Sequence, residues 1–215
     1  TTSCSDFLDE EHKTKYSSEY VFGTPEGLKL AVNALYALQR YYANDTENAT
    51  IFALERGTDL AVTNGGTGNF YGIYDPNYLK PSASQVGFMW RTMYQIIGKA
   101  NEIIAAAEDL EDTPSLRATV SEAKCFRAQS YFLLYRTFDR IWLNIQPTTA
   151  ENVNDPRDFH AASEKEVFDL IYEDLEYAIT NLDWVSDEAG RFTQAAARHM
   201  KAKAALWLKD WDTTL

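Results

Sequence analysis

Three groupings of residues in this chain are of types that could do chemistry. The first is acidic: Glu108, Asp109, Glu111 and Asp112, and again Glu173, Asp174 and Glu176. Two carboxylates at a set separation can cleave a glycosidic bond, one as acid and the other as base or nucleophile. These acids, however, fall along helical stretches, where neighbouring carboxylates read as a solvated face, and no cleft is implied. The second grouping is the usual set of metal and nucleophile residues. His12, His160 and His199 lie far apart, and Cys4 and Cys125 have no zinc-type spacing. Gly65-Gly66-Thr67-Gly68 lacks the Lys and the preceding strand of a phosphate loop. No Ser-His-Asp or Cys-His arrangement stands out. The third grouping is the stretch 63–82, TNGGTGNFYGIYDPNYLKPS. Its tyrosines offer flat apolar faces, and its Asn and Asp side chains offer hydrogen bonds. A ligand made of hydroxyl-bearing rings needs both. Asn69, Tyr71, Tyr74, Asp75, Asn77 and Tyr78 are the candidate contacts; the alternative is a structural loop whose tyrosines fold back onto the helices.

Those residues need a frame. The chain has 215 residues, 45% of them hydrophobic, which is enough for one domain with a proper core. The net charge is −12. Such a surface repels phosphate backbones, which argues against nucleic acid as a partner, and it also argues against a polybasic membrane contact. No apolar run is long enough to span a bilayer. Thr24-Pro25-Glu26 is a helix start, and Leu28, Ala31, Leu35, Leu38 and Tyr42 follow at helical spacing. A shorter helix is expected over 50–62. The composition of 63–82 marks it as a loop. A third helix is expected over 84–108, with Trp90, Met93, Tyr94, Ile97, Asn101 and Ile104 as its stripe. Thr113-Pro114 starts a fourth, reaching Phe138. A polar, Pro-containing connection over 139–162 follows. Ser163 and Glu166 form a capping box for helix five, and Thr193 caps helix six. The fold class is all-α.

Single residues have their own expectations. Trp90 and Trp207 fall within helical patterns and are assigned to the core; Trp184 is expected to cap the apolar end of helix five. Arg127 is read as buried, so it needs a carboxylate partner; Glu122, Glu55 and Asp59 are the candidates. Cys125 reads as a buried thiol. A bridge from Cys4 to Cys125 would need the terminus to dock on a helix. Helix five carries large residues and helix six small ones, Ala195, Ala196, Ala197, Ala202, Ala204 and Ala205 among them. A pair of about this length and pattern looks like a tetratricopeptide unit.

Glu122-Ala123-Lys124-Cys125-Phe126-Arg127-Ala128, continuing through Tyr131-Phe132 to Phe138, resembles the signature helix of the SusD/RagB family. Glu166-Val167-Phe168-Asp169, Asp174-Leu175-Glu176-Tyr177-Ala178-Ile179 and Gly190-Arg191-Phe192-Thr193 resemble its later blocks, in family order. Where the family often has Gly, then an acid or Asn, this chain has Asp139 and Arg140, and Trp142 stands near a common Pro.

The resemblance implies a non-enzymatic, cell-surface outer-membrane lipoprotein of Bacteroidetes with no cofactor. It would capture oligosaccharides for import through a SusC-like TonB-dependent transporter. Peptide cargo, as in RagB-like members, or a bare helical adaptor are the alternatives. Thr2-Ser3-Cys4 resembles the end of a lipoprotein leader, so Cys4 is the expected lipid-modified residue. On this reading 1–20 is a tether, and 21–215 is a tetratricopeptide-like helical domain corresponding to the N-terminal half of such proteins.

Overall fold

The computed structural model describes residues 16–44, 80, 82, 84–149, 151–156 and 159–214. Among them there is no strand, and the α-helices are α1 (Ser18–Gly23), α2 (Pro25–Asn44), α3 (Ser84–Ala106), α4 (Pro114–Phe138), α5 (Glu164–Asn181), α6 (Gln194–Leu208) and α7 (Trp211–Thr214), with a single 3-10 turn, Ala107–Asp109, after α3. The expected helix over 50–62 lies outside the described residues. So do Cys4 and the candidates Asn69, Tyr71, Tyr74, Asp75, Asn77 and Tyr78.

The helix starts are set by side chains that satisfy free backbone N–H groups. Thr24 Oγ1 accepts from Gly27 N at 3.0 Å. Thr113 accepts from Leu116 N, and Thr193 accepts from Ala196 N. Ser163 and Glu166 form the full capping box. The α1 helix is not anticipated by the sequence reading; Ser17 caps it, accepting from Tyr20 N. It turns directly into α2 at Thr24. The approach there is so close that a Cβ on Gly27 would overlap the Tyr20 carbonyl oxygen and Val21 Cα, so only glycine fits.

The central element is α4. Residues 119–128 are buried without interruption, so this part of the helix meets neighbours all round. It packs against α3 and α5, while α2 packs on α3 and α4, and α6 closes over α5. Phe126, Tyr131 and Leu134 are its largest fully buried side chains. Phe126 and Leu134 each contribute roughly 1.5–3 kcal/mol through removal from water. Cys125 is also fully buried, and burial pushes its thiol pKa up. On α6, Ala197, Ala204 and Ala205 are buried; their small side chains allow the close approach to α5 that the large-and-small pattern predicts.

Two polar clusters cross this core. In the first, the fully buried Asp174 of α5 accepts from Lys124 Nζ at 2.8 Å, from Arg127 Nε at 2.7 Å and from Arg127 Nη2 at 2.8 Å. Arg127 Nη1 donates to Asn101 Oδ1 on α3 at 2.8 Å. Among the described residues the partner of Arg127 is thus Asp174 rather than Glu122; the other candidates, Glu55 and Asp59, lie outside the described residues. Asp174 in turn departs from the solvated face expected of its acidic run. Position decides this: Asp174 falls on the same helical stripe as Val167, Ile171, Leu175 and Ala178, which are all buried. In the second cluster, Tyr36 donates to Glu122 Oε2 and accepts from Phe192 N at 2.7 Å. Arg191 Nη2 lies 3.0 Å from Glu122 Oε1, with its guanidinium over the Tyr36 ring. Burial raises the Glu122 pKa above its ordinary value, against the opposing pull of the Tyr36 hydrogen bond and Arg191.

The tryptophans assigned to the core lie nearer the surface. Trp90 is 36% exposed and Trp207 47% exposed, and Trp184 is exposed rather than sealing the end of α5. Helical spacing places a residue on a face, but a Trp is long enough to lie along the edge of that face with part of its ring in water.

Candidate ligand platform

Among the described residues of the segment after α4 there is no helix or strand, yet the chain is held in place by the helices. The hydroxyl of Tyr94, on α3, donates to Trp142 O at 2.8 Å and accepts from Trp142 N at 3.0 Å. The hydroxyl of Tyr131, on α4, does the same two residues on. It donates to Asn144 O at 2.6 Å and accepts from Asn144 N at 2.8 Å. Each phenol therefore satisfies both backbone groups of one residue, as a neighbouring strand would. Burial pushes the Tyr94 phenol up to about 12 and raises that of Tyr131 as well, so both stay protonated donors at neutral pH. Asn101 Nδ2 adds a bond to Asn144 O at 2.9 Å. Since Asn101 also holds Arg127, a continuous hydrogen-bonded path runs from the buried Asp174 to this segment.

Pinning alternate residues sorts the side chains. Ile141 is buried and Leu143 packs against the core. Trp142, Asn144 and Gln146 line a hollow of about 290 Å³, which Pro147, Asn152, Asp155 and Pro156 complete. This is the period-two alternation of extended chain. Across the far side, Asn152 Oδ1 accepts from Thr149 N at 2.8 Å, and Asn152 Nδ2 donates to Pro147 O at 3.0 Å, which shapes the turn. Ala162 N donates to Ile141 O at 2.8 Å and closes the base of the whole excursion.

Aromatic rings run beside the hollow. Trp142 lies 4.8 Å from Phe159 and 6.3 Å from Tyr94, centroid to centroid. Tyr94 lies 4.8 Å from Trp90, and Trp90 meets Phe138 edge-on at 5.0 Å. Phe159 is 69% exposed. Exposed rings of this size beside amide and carboxylate groups are the equipment for holding a ligand with both apolar and hydroxyl-rich faces. The turn entering the segment is tight: Asp139 has φ 61° and ψ −54°, and Arg140 N donates to Phe138 O at 2.6 Å. This is a γ-turn of the rarer, strained hand.

A second hollow, of about 240 Å³, lies over the Glu122 cluster and is lined by Lys29, Glu122, Asp183, Glu188 and Arg191 among others. Lys29 pairs with Glu188 at 3.0 Å, and Arg191 with Glu122, which leaves Asp183 and Asp187 as the excess negative charge of this hollow. Among the described residues the first hollow is lined by a single carboxylate, Asp155; of the four that line the second, Glu122 is engaged by Tyr36 and Arg191 and Glu188 by Lys29, while Asp183 and Asp187 complete its acidic wall.

The sequence reading of 139–162 as a polar connection misses this platform. The signal is present in Ile141-Trp142-Leu143-Asn144-Ile145-Gln146, which alternates aliphatic residues with larger polar or amphipathic ones. No residue in the stretch marks its anchors, because Tyr94, Asn101 and Tyr131 come from two other helices.

Comparison with known proteins gives the same answer as the helix pattern. A SusD-like protein of Bacteroides ovatus is 28% identical over 98% of this chain and 38% of its own length. A laminarin-binding SusD-like protein of known structure superposes over 88% of this chain and 41% of its own, with a TM-score of 0.75 and 26% identity. A SusD-like carbohydrate-binding protein from Bacteroides fragilis, 18% identical, shares the fold over 91% of this chain and 40% of its own, with a TM-score of 0.74. The chain thus spans about two fifths of the length of these relatives. The SusD-like family model described as starch-binding and associating with the outer membrane matches residues 6–206, and with nearly the whole chain inside that match, the chain belongs to this family.

Proposed function

We propose that this chain is the helical part of a surface-exposed outer-membrane lipoprotein that captures oligosaccharides and makes no covalent change to them. The observation that carries this reading is the family match over residues 6–206, together with a laminarin-binding relative of the same fold. The acidic surface and the exposed rings beside polar side chains support it, since both suit an uncharged, hydroxyl-rich ligand. On this proposal Cys4 carries the lipid, and a SusC-like TonB-dependent transporter takes up the cargo. Asn69, Tyr71, Tyr74, Asp75, Asn77 and Tyr78 contribute ligand contacts from the 63–82 stretch.

Calorimetric titration of the full-length protein against a panel of oligosaccharides and mixed peptides tests the proposal. Oligosaccharide binding is expected, weakened at least tenfold when Tyr71 and Tyr74 are both replaced by Ala. Binding of peptides alone would overturn the glycan reading. Unchanged affinity in the double variant would remove 63–82 from the site. Loss of membrane association in a Cys4→Ala variant, read by cell fractionation, tests the anchor.

A further inference from the structure

We propose that the hollow lined by Trp142, Asn144, Gln146 and Asp155 is a subsite for a short stretch of an uncharged sugar chain, separate from the contacts assigned to 63–82. The inference rests on the glycan-capture reading above and adds a place and a ligand class to it. Three observations carry it. First, the hollow is built: Tyr94 and Tyr131 fix the backbone of Trp142 and Asn144 at both N–H and C=O, so the side chains lining it are presented in advance of any ligand. Second, its polar groups are available. Asn144, Gln146 and Asp155 make no side-chain hydrogen bond among the described residues, while the neighbouring Asn152 is used within the turn. An amide can both donate to and accept from a sugar hydroxyl, and a carboxylate accepts. Third, Trp142 and the exposed Phe159 put apolar ring surface at 4.8 Å from each other beside those groups.

Size and charge set the ligand. A volume of about 290 Å³ lies at the low end of the roughly 300–1,000 Å³ of small-molecule sites, which suits a short segment of a chain. Among the described lining residues the one formal charge is Asp155, and the chain carries −12 overall. A uronate or sulfated sugar would meet like charge there with no cation among the described lining residues to offset it.

The test is a titration of the full-length protein with neutral β-glucan, α-glucan, xylan and mannan oligosaccharides, and in parallel with an oligogalacturonate. The variants are Gln146→Ala, Phe159→Ala and their combination. Both side chains are exposed, so melting temperature should hold while affinity for the bound neutral oligosaccharide falls about threefold in each and tenfold or more together. If the combined variant keeps wild-type affinity, the subsite is overturned and the capture reading stands. If the wild type binds none of the oligosaccharides, both fall. Tighter binding of oligogalacturonate than of every neutral sugar would overturn the ligand class.

Discussion

The helical body and the 141–156 segment hold their shapes by different means. In the body, apolar stripes and local caps fix each helix, and side chains from neighbouring helices fill the remaining space. In the segment, backbone groups that no helix or sheet would satisfy are met by Tyr94, Asn101 and Tyr131 reaching in from elsewhere. The contrast teaches that a chain can be ordered without regular structure when its polar backbone is satisfied from outside. The two regions meet through Arg127, which holds Asp174 on one side and Asn101 on the other.

The change that tests this most severely is Asp174→Ala. It leaves Lys124 and Arg127 buried without their carboxylate, a loss expected to cost about 3–5 kcal/mol. Chemical denaturation should show the whole domain destabilised; loosening confined to the segment would break the picture of a shared anchor. Next comes Tyr131→Phe, which removes the partner of Asn144 N and one of the two partners of Asn144 O. An unsatisfied buried group costs about 1–3 kcal/mol. Amide exchange at Asn144 should accelerate while the amides of α4 and α5 stay protected. Equal acceleration in the helices would erase the distinction between the regions.

Two smaller effects sharpen it. Asp139→Gly relieves a positive-φ turn at the junction and should stabilise the fold by about 1 kcal/mol, read as a raised melting temperature. The last concerns Glu122, whose pKa is raised by burial in the folded state. A carboxyl whose folded pKa exceeds its unfolded value binds its proton more tightly when native. Stability from this group is therefore present below the unfolded pKa and lost as pH climbs through the folded one. Glu122→Gln should match the wild type near pH 4 and equal or exceed it near pH 7, by less than about 1 kcal/mol after allowance for partial solvent contact. A variant weaker than wild type at pH 7 would show that the Arg191 pair outweighs the cost of desolvation.

The caps at Thr24, Thr113, Ser163 and Thr193 were readable in the sequence because capping depends on residues three apart. The buried side of α5 was readable from spacing, though the same spacing, applied to Asp174, contradicts the solvated-face reading that its acidic neighbours invite. The pairing of Arg127 was not readable, since it joins residues 47 apart in sequence and depends on how two helices are aligned. Nor was the extent to which Trp90 and Trp207 reach water. The platform was half legible: the alternation over Ile141 to Gln146 was there to be read, but its anchors were set by tertiary structure alone. The contacts expected from 63–82 lie outside the described residues.

The bond between Ala162 N and Ile141 O brings the two ends of the excursion together at the rim of the helical body. Chain closure becomes harder only slowly with length, by about 0.6 kcal/mol for each doubling. The tip between those ends is therefore free to gain or lose residues while α4 and α5 keep their alignment. One sturdy scaffold can in this way carry tips of different length and composition.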